Sequence, residues 1–164
     1  MQTNPAYKKL LTRIRFTIIF FMVALVLSGI TAFPLETELH WLMGCRNHLP
    51  AGLAAFITSV YEALHYTNEH YPMLAYGYDW LAFAHIVIAM FFIGPLKDPI
   101  KNIWVIEWGM LACIAVIPLA FIAGPVRGIP FYWKCIDCSF GVFGMIPLYL
   151  LWRWIKKLEK IKKR

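Results

Sequence analysis

Tyr78, Asp79, His85 and Asp137 are polar or ionisable groups set inside long apolar runs, and Arg127 lies just beyond one such run. An ionisable side chain is expensive inside a membrane, so residues of this kind are functional candidates by default. Tyr78 and His85 are seven residues apart, which puts them on one face of a helix, two turns apart. Gly141 and Gly144 continue the stripe of Asp137, and small residues either let helices approach or leave room for a ligand. One reading is an outward-facing polar pocket lined by Tyr78, Asp79, His85 and Asp137, with Arg127 at its mouth. Apolar walls around such groups suit an amphipathic molecule such as a lipid, quinone or isoprenoid. The other reading is a set of interhelical hydrogen bonds, with His85 on a serine, threonine or carbonyl and Asp137 on Arg127 or Lys134. The residues alone leave both open. Glu107 is expected to reach the inner headgroups or to pair with Lys101.

Cys135 and Cys138 form a C-x-x-C, a spacing that can serve thiol–disulfide exchange where it faces an oxidising compartment. The segment Tyr132-Trp133-Lys134-Cys135-Ile136-Asp137-Cys138 resembles, in its placement, the redox-active segment of vitamin K epoxide reductase relatives. That resemblance implies a four-helix bundle whose last helix opens on the C-x-x-C, with a quinone beside it. It also implies a cysteine pair in the first outer loop that shuttles electrons. Here that loop holds only Cys45, so half of the relay is missing. The resemblance covers topology and these seven residues. The plainer alternative, two helical cysteines at i and i+3 without a redox role, is the expected one.

Four of the five histidines, His40, His48, His65 and His70, fall between residues 36 and 72. Glu62 and His65 make an E-x-x-H pair, and Glu69 continues its face. Carboxylate-bridged metal sites use two such motifs, so a hydrated helix face is expected here and no metal site. His85 is the only histidine within an apolar run, so a haem would need a methionine, Cys113 or a histidine folded in from the outer segment as its second ligand. No cofactor is identified by these residues.

Four apolar runs must position all of this. A helix needs about 20 mostly apolar residues to cross the hydrocarbon. The runs lie at about 16–35, 74–96, 103–124 and 130–154, joined by an outer segment at 36–72. They are too long and too unalternating for barrel strands. Helices also satisfy their own backbone groups in lipid. The first run follows a basic segment as a signal peptide would, but it is long and no A-x-A site closes it, so it is expected to be retained. Asp98-Pro99 and Gly124-Pro125 are expected to stop the second and third helices. Within the outer segment, Leu53, Phe56, Ile57, Val60 and Leu64 recur at helical spacing after Pro50. That predicts a short amphipathic helix through Tyr66, lying at the interface or capping the spans.

The composition agrees, with 60% hydrophobic and 15% charged residues in 164. A soluble domain is nearer half apolar and a quarter charged. The net charge of +7 is distributed unevenly. Thirteen of the sixteen Lys and Arg lie before the first run, at Lys97 and Lys101, or from Arg153 to Arg164. Only Arg46, Arg127 and Lys134 fall on the other side. This is an orientation signal rather than a nucleic-acid footprint, and it places both termini in the cytoplasm. The expectation is therefore one all-α domain over 1–164, an integral four-helix bundle of the cytoplasmic membrane with a small extracytoplasmic helix. Its expected partners are membrane lipids, with either a small amphipathic ligand or a larger membrane complex. Three functions remain open: an amphiphile-binding protein, a quinone-linked thiol–disulfide oxidoreductase, or a non-catalytic accessory subunit. Enzymatic activity is undecided by the sequence.

Overall fold

The computed structural model describes residues 5–163, and no strand occurs among them. The helices are α1 (Pro5–Ala32), α2 (Leu35–Gly44), α3 (Ala51–His70), α4 (Pro72–Phe91), α5 (Ile93–Lys97), α6 (Ile103–Val126) and α7 (Phe131–Lys162), with a 3-10 turn at Arg46–His48. Four helical stretches are long and apolar enough to cross a membrane: α1, α4 with α5, α6 and α7.

Prolines and glycines set most of the boundaries. Pro34 follows the end of α1, and α2 starts at once, so the outer segment holds a helix that the sequence reading did not place. Glu36 and Glu38 sit in its first turn, where the positive end of the helix dipole favours carboxylates. The second apolar run is interrupted at Phe92 between α4 and α5. Pro95 cannot donate to the carbonyl four residues back, and its ring crowds that turn. The ladder resumes one residue later, where the Leu96 amide donates to the Phe92 carbonyl at 3.0 Å.

The third helix does not stop at Gly124-Pro125. It runs on to Val126, with both Pro118 and Pro125 inside it. Its end is a Schellman motif. The Ile129 amide donates to the Gly124 carbonyl at 2.9 Å and the Gly128 amide to the Pro125 carbonyl at 3.1 Å. This needs a left-handed residue, and Gly128 supplies it with φ 67°. The fourth helix outruns its apolar stretch and carries the basic segment out to Lys162.

By contact the chain forms two compact units. One holds the described residues up to Met22 and from Phe91 onward, and the other holds Val23–Met90. In the first, α6 and α7 pair as an antiparallel hairpin. A Cβ on Gly141 would lie 2.5 Å from the Cys113 carbonyl oxygen, and one on Gly109 would lie 3.1 Å from Leu148. Its core is Ile14, Ile18, Phe92, Ile106, Leu148, Leu151, Ile155 and Leu158, all nearly inaccessible. In the second unit, α2 and α3 pack together. Gly29 of α1 meets α4, where a Cβ would fall 2.7 Å from the Ala82 carbonyl oxygen. In α3, Ile57 is buried and Leu53, Phe56, Val60 and Leu64 are half-buried, while Ser59, Glu62 and Glu69 are exposed.

Candidate functional site

The densest polar arrangement lies in the second unit, where α2, α3 and α4 contribute one side chain after another. The Glu36 carboxylate, in the first turn of α2, sits 2.5 Å from His65 Nδ1 of α3. Its other oxygen accepts from the Asn68 amide, one helical turn further along. Asn68 Oδ1 in turn accepts the Tyr78 hydroxyl of α4 at 3.0 Å. Behind His65, its Nε2 is 3.4 Å from Glu69. Tyr61 stacks nearly parallel on the imidazole, with ring centres 5.9 Å apart. The Tyr61 hydroxyl lies 3.1 Å from His40 Nδ1 of α2.

These contacts explain the electrostatics. Hydrogen bonds from His65 and then Asn68 hold the Glu36 carboxyl below the usual carboxylate range. The same bond to Glu36, followed by the charge of Glu69, holds the His65 imidazolium to a higher pH than usual. Glu36 is thus a carboxylate with both oxygens engaged.

A cavity of about 220 Å³ opens beside this network. Glu36, Thr37, Asn68, Tyr78 and Asp79 supply its polar lining, and Phe33, Pro34 and Ala75 its apolar part. Asp79 has no ion-pair or hydrogen-bond partner among the described residues, so its carboxylate is available to an occupant.

The five residues singled out as one pocket divide between the two units. Tyr78 and Asp79 line this cavity. Arg127 and Asp137 line a second one, of about 240 Å³, walled by Val116, Leu119, Ala120 and Ala123 beside the turn of the α6–α7 hairpin. Among the described residues no ion pair joins Asp137 to Arg127 or Lys134. Lys134 instead lays its alkyl chain on Gly124 and its ammonium 5.7 Å from the Phe131 ring centre. His85 Nδ1 bonds the Leu81 carbonyl of its own helix at 3.0 Å, not a neighbouring helix. Glu107 accepts the Trp152 indole at 3.0 Å and forms no ion pair with Lys101.

Glu62 takes no part in the His65 network, because the imidazole turns toward Glu36 and Glu69. No group of three or more His, Cys, Asp and Glu could hold a metal among the described residues. Cys135 and Cys138 are free thiols in the first two turns of α7, the former exposed and the latter half-buried. Cys45 is free and exposed at the end of α2.

Sequence reasoning missed Glu36 and Asn68. Glu36 had a signal, an acidic residue just after a proline that ends an apolar helix. Asn68 had none beyond its place in a polar run. No family model, no curated protein and no solved structure matches this chain.

Proposed function

We propose that this chain is a four-span protein of the cytoplasmic membrane that binds an amphipathic ligand from the outer side. The distribution of basic residues supports both termini in the cytoplasm and α2–α3 outside, as a cap. No more than 22% of each apolar window is buried within the protein. Lipid, or a partner's spans, must cover the rest.

The observation that carries the ligand reading is the cavity lined by Glu36, Asn68, Tyr78 and Asp79 at the start of an apolar span. Three of its polar groups, Glu36, Asn68 and Tyr78, are held in place by one another. The free carboxylate of Asp79 favours a head that carries positive charge or several hydrogen-bond donors. The adjoining apolar span offers the tail of such a molecule a place beside it. Two carboxylates, Glu36 and Asp79, in a small cleft select against phosphate or carboxylate heads.

Native mass spectrometry of the detergent-purified full chain tests this. A retained small molecule should be present in the parent protein and lost from Asp79→Asn, with Gly52→Ala as a neutral control. Equal retention in Asp79→Asn would reject the cavity as its site. A co-purifying membrane subunit, with no small molecule, would favour the accessory role that the exposed apolar spans also permit.

A further inference from the structure

We propose a second binding surface, for anionic phospholipid headgroups, at the opposite end of the α6–α7 hairpin from Arg127. It rests on the membrane reading above but not on the cavity. The register of the hairpin sets it up. Gly124 meets Lys134, Cys113 meets Gly141 and Gly144, Gly109 meets Leu148, and Glu107 meets Trp152. Continuing that antiparallel register brings the turn before Ile103 level with the last turns of α7. Lys97, the last residue of α5, and Lys101 of the turn therefore share one end with Arg153, Lys157 and Lys160 of α7, and all five are exposed.

Two further facts separate this from a solvated charged tail. The tail is a docked helix: Leu151, Ile155 and Leu158 are fully buried on one side, while Arg153, Lys157 and Lys160 recur on the other at i, i+4 and i+7. Its acids are also occupied. The Asp98 carboxylate accepts the Lys101 backbone amide at 3.0 Å, Glu107 accepts the Trp152 indole at 3.0 Å, and Glu159 is 2.7 Å from Lys163. None of the five cations is ion-paired among the described residues.

Depth selects the occupant. From Phe131 to Trp154, α7 is about 36 Å long at 1.5 Å per residue, against roughly 30 Å of hydrocarbon. The residues that follow fall in the headgroup layer. A row of cations carried there on a docked helix complements lipid phosphates rather than a soluble anion.

Native mass spectrometry with equal amounts of phosphatidylglycerol and phosphatidylcholine reads this out. The full chain should retain phosphatidylglycerol preferentially. Lys101→Gln/Lys157→Gln/Lys160→Gln should lower that preference on the order of fivefold per charge removed, and the triple Arg variant should keep it. Asp79→Asn should also keep it, which separates this surface from the cavity. Membrane extraction of the Gln variant checks that it still inserts. Equal retention of the two lipids by the parent chain would overturn the proposal, as would an unchanged preference in an inserted Gln variant. Displacement of the lipid by an acidic peptide or inorganic phosphate at matched charge would overturn the lipid assignment.

Discussion

Glu36 and His65 stand 29 residues apart and meet at 2.5 Å, and their contact makes a pH prediction with a definite sign. His65 has its pKa raised from an ordinary 6.5. Its contribution is complete below that value and is lost as pH rises through the raised one. Glu36 has its pKa lowered from an ordinary 4.5. Its contribution is present above that value and is lost as pH falls through the lowered one. The contact is therefore fully formed between about 4.5 and 6.5, and its exposure keeps its weight in stability small. An NMR titration should place the His65 ring midpoint above 6.5. Glu36→Gln should bring it down, with Glu69 leaving a residual upward shift. A midpoint unmoved by Glu36→Gln would contradict the contact. The thiols give a second prediction at this scale. Cys135 and Cys138 lack the second outer cysteine that a relay needs, so Cys135→Ser/Cys138→Ser should leave ligand retention unchanged. Alkylation trapping in intact cells should show no redox-dependent shift. A trapped disulfide that responds to quinone supply would instead promote the oxidoreductase reading.

At the scale of elements, the α6–α7 hairpin depends on two glycines for different reasons. Gly128 has φ 67°, where an L side chain costs about 1–2 kcal/mol. Gly141 has normal helical geometry but no space, since its Cβ would meet backbone, not a side chain that could swing away. Gly141→Ala should therefore cost about 1–3 kcal/mol as overpacking, and Gly128→Ala about 1–2 kcal/mol. Gly52→Ala, which meets nothing within 4 Å, should be close to neutral. Thermal unfolding in detergent ranks the three; a Gly141→Ala as stable as Gly52→Ala would mean that the two helices pack less closely. The stop at Gly124-Pro125 was a reasonable local expectation, but a proline in the last turn of a helix is tolerated when a glycine three residues on can close the Schellman bonds.

For the whole molecule, the unequal distribution of basic residues predicts topology. Reporter fusions should be active outside the cell only after the first and third apolar helices, and an exported C-terminus would reverse the orientation. The four apolar runs, the helical class and the uneven charge were all legible in the sequence. Each depends only on local quantities: run length, the absence of alternation, and where Lys and Arg fall along the chain. The polar cluster was only partly legible. Spacing marked His65 and Glu69 as sharing a face, and marked Tyr78 and Asp79 as costly groups in an apolar run. It also grouped Glu62 with His65 as an E-x-x-H pair, whereas the imidazole meets Glu36 and Glu69. Helical periodicity says which side chains share a face, but not which helix that face meets. The tertiary structure decided that Glu36 reaches His65 and Asn68, and that Trp152 reaches Glu107 across 45 residues. It also decided that His85 turns back on its own helix. The Glu36 and Trp152 contacts follow from how α2 folds against α3 and how α6 registers on α7, and no short window along the sequence contains them.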